Sequence, residues 1–111
     1  MRILAFAASL RKDSLNKKLI NLAAHAAKSE ETEVTMIDLN GFTLPPYDND
    51  LEISGQFPGN AKLLGVQITT HDALMIASPE YNNSMAGHFK NTFDWISCLR
   101  PIPWKGKPVL L

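Results

Sequence analysis

Residues Ile3 to Ala8 form a continuous apolar run, the pattern of a strand buried on both faces of a parallel sheet. A polar stretch, Ser9 to Asn16, follows. Apolar positions then recur at helical spacing, with Leu15, Leu19, Leu22 and Ala26 on one face and Ile20 and Ala23 beside them. This predicts a helix with a packed leucine face, fading over Lys28 to Thr32. Glu33 to Leu39 has strand composition, and Asn40-Gly41 breaks it. Asn40 to Gly59 shows no period, and Pro45, Pro46, Gly55, Pro58 and Gly59 argue against any element there. Loops of that length in small domains are often functional or mobile. Asn60 to Thr70 reads as a second helix with Asn60 as its N-cap. Asp72 to Ser78 is a third strand, stopped by Pro79, which cannot donate to a ladder. Met85, Phe89, Phe93 and Ile96 mark the apolar face of a third helix, Met85 to Leu99, with Ser84 as its cap and Pro101 and Pro103 beyond its end. Lys107 to Leu111 begins a fourth strand.

Strands alternating with helices imply an α/β fold with a parallel sheet and right-handed crossovers, and no domain boundary is visible. In such sheets ligands bind outside the carboxyl ends of the strands. Attention therefore falls on the loops after the first and third strands.

Composition narrows the function classes. The chain has 111 residues, 45% hydrophobic and 20% charged, with eleven basic residues balancing eleven acidic ones. Without net charge or a like-charge block, a nucleic acid or an acidic membrane is not the expected partner. A single cysteine, Cys98, excludes an internal disulfide and fits a reducing, cytoplasmic compartment. The apolar start is too short for a membrane span and lacks the flanks of a signal peptide.

The first loop, Ser9 to Asn16, precedes a helix N-terminus, where free N–H groups and partial positive charge suit a phosphate. Ser9 and Ser14 offer hydroxyls, Arg11 a charged fork and Asn16 an amide. The loop has no glycine, so neither a Walker A loop nor a G-x-G-x-x-G fingerprint is present. The alternative is that Ser14 or Asp13 merely caps the helix and Arg11 is a solvated charge. The third loop offers the Tyr81 ring with the amides and hydroxyl of Asn82, Asn83 and Ser84. Its alternative is a capped loop before a core helix. His25, His71 and His88 are scattered without metal-ligand spacing. His88 lies near the third loop, Cys98 has no activating partner, and Lys90 and Asp94 are spaced for a helix-surface pair. Trp95 reads as core or interface.

Taken together, S-L-R-K-D-S-L-N at Ser9 to Asn16 and S-P-E-Y-N-N-S at Ser78 to Ser84 resemble the NADPH-dependent FMN reductases, a family with chromate, quinone and azo-dye reductases. L-P-P-Y-D-N-D at Leu44 to Asp50, K-N-T-F-D-W at Lys90 to Trp95 and G-K-P-V-L-L at Gly106 to Leu111 agree, in the same order. The resemblance implies a flavodoxin-like, doubly wound parallel sheet with strand order second, first, third, fourth. It implies FMN as cofactor and NADPH or NADH as hydride donor. By matching position, Ser9, Arg11, Ser14 and Asn16 would hold the FMN phosphate. Pro79, Glu80, Tyr81, Asn82 and Ser84 would line the ribityl chain and the flavin ring. No catalytic acid or base is required. Arg100, after the third helix, is a candidate contact for the nicotinamide nucleotide. A small-molecule electron acceptor and a homodimer or homotetramer are expected, the latter with Trp95 and Trp104 near the interface.

The competing readings are a flavodoxin-type electron carrier and a non-catalytic oligomerisation or sensor domain on the same fold. Many relatives have glycine where Ala8 stands, and relatives continue well past Leu111. Residues 1–111 are therefore expected to be the N-terminal part of a single flavodoxin-like FMN-binding domain, truncated in the fourth strand.

Overall fold

The computed structural model describes residues 1–111. Strand β1 (Arg2–Ala7) is followed by helix α1 (Leu15–Ala27) and β2 (Glu33–Met36). A 3₁₀ turn (Leu39–Gly41), a short helix α2 (Asn49–Ile53) and helix α3 (Gly59–Thr69) lead to β3 (Ala73–Ala77). A small hairpin, β4 (Glu80–Tyr81) and β5 (Ser84–Met85), precedes helix α4 (Gly87–Ser97) and β6 (Val109–Leu110). The main sheet has the order β2-β1-β3-β6 and every pairing is parallel, as the alternation of strands and helices implies.

The side chains of β1 alternate between two cores. Leu4 and Phe6 join Leu39, Leu64, Ile68, Leu74, Trp95 and Ile96 on the α3/α4 face. Ala5 and Ala7 join Ile20, Ala24, Val34 and Met75 on the α1 face. Helix α3 packs closely on the segment after α4 because Gly65 has no Cβ, and one there would run into Leu99 Cδ1.

Four expectations are corrected. Helix α1 buries Ile20 and Ala24, and Leu15, Leu19 and Leu22 are exposed. The alanines let the helix lie close to the sheet, and the leucine stripe falls on the adjoining, uncovered flank. Asn60 does not cap α3. The cap position is Pro58, and the Asn60 side chain donates to the Thr43 carbonyl at 2.8 Å. The stretch from Asn40 to Gly59 is not without elements. Asp38 caps the 3₁₀ turn and Asp48 caps α2, each accepting a backbone N–H two residues on. Helix α4 starts at Gly87, with Ala86 at its cap position. Ser84 lies in the hairpin instead, and Met85 precedes the helix.

Trp95 is fully buried and belongs to the core, so it offers no interface. Its indole Nε1 donates to the Pro45 carbonyl at 2.8 Å, and Tyr47 and Phe57 pack edge-on against its ring. The long loop is thereby fastened to α4. The Lys90–Asp94 pair forms on the surface of the same helix.

Candidate functional site

Ala8 donates its N–H to the Ala77 carbonyl at 2.9 Å, the last bond joining β1 to β3. The first loop and the β4–β5 hairpin therefore leave the sheet side by side, one strand spacing apart. This brings Ser9, Arg11, Ser14 and Asn16 to the same sheet edge as Pro79, Glu80, Tyr81, Asn82 and Ser84.

The first loop is rich in uncommitted donors. The backbone N–H groups of Ser9, Leu10, Arg11, Lys12 and Asp13 have no acceptor in the protein. Ser9 is buried, yet its hydroxyl has no protein partner. Arg11 is exposed and makes no ion pair. Ser14 is the N-cap of α1, and its Oγ accepts from the Asn16 N–H at 3.1 Å. Capping and ligand binding do not conflict here, because the accepting lone pair leaves the hydroxyl hydrogen free to donate. Together with the N-terminal partial charge of α1, these groups make a set of free donors suited to an anion.

Two carbonyls of this loop are turned into the protein. The Leu10 carbonyl accepts from Asn40 Nδ2 at 3.0 Å, and the Ala8 carbonyl lies near the His88 ring without a hydrogen bond to it. Burial pushes the His88 pKa below its usual value, outweighing the carbonyl that favours protonation. Its Nε2 is buried without a hydrogen-bond partner. A cavity of about 110 Å³ lies between Leu10, Phe42, His88 and Asn91. Asp38 is held below its usual pKa, first by the Asn40 backbone N–H and further by Lys17.

The hairpin is a two-residue type. Asn82 and Asn83 have φ of 53° and 62°, the left-handed conformation that such a turn demands and that asparagine tolerates. Glu80 Oε1 accepts from the Asn83 N–H at 3.1 Å and so braces the turn. Tyr81 stands out from it, 50% exposed.

Other candidates lie elsewhere. Arg100 donates to the Ser97 and Leu99 carbonyls and closes the far end of α4, roughly 16 Å along the helix from the hairpin. Burial pushes the Cys98 thiol up, away from the thiolate. His71 is buried with Nδ1 2.6 Å from the Gln67 carbonyl. No group of three or more His, Cys, Asp or Glu side chains is assembled to hold a metal, and no helix is long and apolar enough to cross a membrane. Asn40, not singled out as a loop support from the sequence, acts on the first loop through a contact that no local motif announces.

The sequence profile of the NADPH-dependent FMN reductases matches residues 1–111. The chain is 40% identical over 111 residues to a 2-hydroxy-1,4-benzoquinone reductase from a Burkholderia species, covering 97% of this chain and 57% of that protein. It is 34% identical to a quinone reductase of Escherichia coli strain K12, covering 100% of this chain and 58% of that one. Among solved structures, the flavoenzyme NAD(P)H:(acceptor) oxidoreductase FerB from Paracoccus denitrificans superposes with a TM-score of 0.78 at 35% identity, over 97% of this chain and 57% of that one. The chain thus spans little more than half the length of these relatives.

Proposed function

The chain belongs to the NADPH-dependent FMN reductase family, and we propose that its protein passes hydride from NADPH or NADH through bound FMN to small-molecule acceptors. Quinones are the leading acceptor class, with azo compounds and chromate as further ones. The observation that carries this reading is the set of free donors in the first loop, beside the hairpin at the ends of adjacent strands.

FMN, when bound, supplies the hydride chemistry itself. The chain's residues bind and orient it. Arg11 meets the phosphate dianion with a charged fork, and Ser9, Ser14 and Asn16 complete its hydrogen bonds. Pro79, Glu80, Tyr81, Asn82 and Ser84 border the ribityl chain and the ring, with Glu80 acting through the turn it braces. No side chain is assigned as acid or base.

The single, partly buried Cys98 supports a cytoplasmic setting. Assembly as a homodimer or homotetramer is supported by the stacked Phe93 and Trp104 rings, with Phe93 43% exposed. Light scattering of the full-length protein tests this, and a monomer mass at micromolar concentration rejects it.

The decisive experiment is the visible spectrum of the purified full-length protein, followed by stopped-flow mixing with NADPH. Oxidised-flavin bands that bleach on mixing are expected. A flavin that does not bleach would favour an electron carrier. Protein that takes up no FMN would reject the reading.

A further inference from the structure

We infer that Asn40 is a positioning residue for the phosphate-binding loop, holding the Leu10 peptide so that the Arg11 amide faces the phosphate. The inference rests on the FMN reading above. Asn40 lies in the 3₁₀ turn after β2, thirty residues from the loop it touches. Its Nδ2 donates both to the Leu10 carbonyl at 3.0 Å and to Asp38 Oδ1 at 3.1 Å. Two acceptors around one atom fix that atom as nitrogen, so the orientation of the carboxamide is determined. Asp38 Oδ1 also accepts the Asn40 backbone N–H at 3.0 Å, and Asp38 Oδ2 pairs with Lys17 Nζ at 3.1 Å. Lys17 stands in the first turn of α1. The carboxamide is therefore braced against the same helix whose N-terminus faces the anion.

A trans peptide is planar, so its N–H points opposite to its C=O. With the Leu10 carbonyl drawn toward Asn40, the Arg11 N–H is turned away from the 3₁₀ turn. That N–H has no protein acceptor. The loop lacks glycine and contains no bond of its own that fixes this peptide. The Ser14 N–H to Arg11 carbonyl bond at 3.3 Å closes the turn only after it. Asn40 thus supplies from outside the orientation that a glycine-rich phosphate loop builds into its own backbone. It touches no ligand itself.

The test compares FMN with riboflavin, which lacks the phosphate, on full-length protein. Asn40→Ala is expected to weaken FMN by about fivefold, the effect of one modest hydrogen bond, and to leave riboflavin affinity within about twofold. Asn40→Asp, isosteric but unable to donate, is expected to behave like Asn40→Ala or worse. Unchanged FMN affinity would overturn the inference. Equal losses for FMN and riboflavin would also overturn it, marking Asn40 as a general support of the fold. Should Asn40→Ala not fold, Asn40→Ser keeps a turn-compatible side chain that cannot reach Leu10, and the same ratio decides. A wild-type protein that binds FMN no better than riboflavin would instead remove the phosphate site and, with it, this inference.

Discussion

Asn91 accepts the backbone N–H of Tyr47 at 2.7 Å through Oδ1 and donates through Nδ2 to the Pro45 carbonyl at 2.9 Å. One side chain of α4 thus serves the long loop as a strand partner would, where two prolines prevent ordinary pairing. Asn91→Ala is expected to cost about 1–2 kcal/mol of stability, from two partly exposed hydrogen bonds. Urea unfolding measures it. A loss below about 0.5 kcal/mol would show that the packing of Tyr47 and Phe57 on Trp95 seats the loop unaided.

The Arg11 side chain makes no hydrogen bond or ion pair within the protein, so its removal tests ligand binding cleanly. Arg11→Ala should weaken FMN by about tenfold to a hundredfold, the range of one charge-assisted hydrogen bond, and leave riboflavin affinity and apo stability nearly unchanged. Titration with both flavins checks this. Undiminished FMN affinity would move the phosphate elsewhere.

Tyr81 is half exposed and makes no side-chain hydrogen bond within the protein. Tyr81→Ala should reduce FMN affinity or turnover while the apo Tm barely moves. A large fall in apo Tm with normal flavin binding would return Tyr81 to a purely structural role.

His88 makes stability depend on pH. In the unfolded chain it titrates at its ordinary value near 6.5, whereas in the fold burial lowers its pKa. Between the two values the unfolded state binds more protons, so stability falls as pH drops below about 6.5 and is level above it. Asp38 and Asp72 are both depressed below 3.8, each first by a backbone N–H, from Asn40 and Arg2. Their stabilisation is present above about pH 3.8 and is lost as pH falls through the lowered values. Urea midpoints between about pH 7 and about pH 5 should therefore decline, and His88→Gln should flatten that decline. Parallel wild-type and variant curves would show that the ring takes up its proton without cost.

Residues 1–111 expressed alone leave apolar side chains uncovered: Leu15, Leu19 and Leu22 on α1, Val109 and Leu110 on β6, and Leu111 after it. We expect this piece to self-associate and to bind a hydrophobic dye. A soluble, dye-silent monomer that melts cooperatively and binds FMN would refute the expectation that it is part of a larger domain.

The central strands were legible because parallel strands covered on both faces have no polar side to disguise them, as in Ile3 to Ala8. Helix positions were legible too, but not every face. Leucines at i, i+4 spacing look like core, whereas Ile20 and Ala24 decide the seat of α1 because small side chains permit close approach. The hairpin escaped notice since Glu80, Tyr81 and Ser84 make two-residue strands too short for a period. Helix α2 was hidden among prolines and glycines, with only the Asp48 cap to announce it. The positions of both candidate loops, at the ends of adjacent strands, could be read from the pattern of strands. The supports of the first loop could not. Asn40 looked like a chain break, and its bond to Leu10 exists only once β1 and β2 are paired.

The pairing of β1 with β3 joins Ile3 to Ala73, and this long separation shapes how the chain must be made. One central strand emerges first and its central partner some seventy residues later. At ordinary synthesis rates the delay is about 4–14 s. Closing so long a loop is slow compared with forming a helix, and until it closes one edge of Arg2–Ala7 has no partner. Helix α1 can cover one face of that strand and β2 its other edge in the meantime. The early chain thus exposes an apolar strand before either candidate loop has a sheet to stand on.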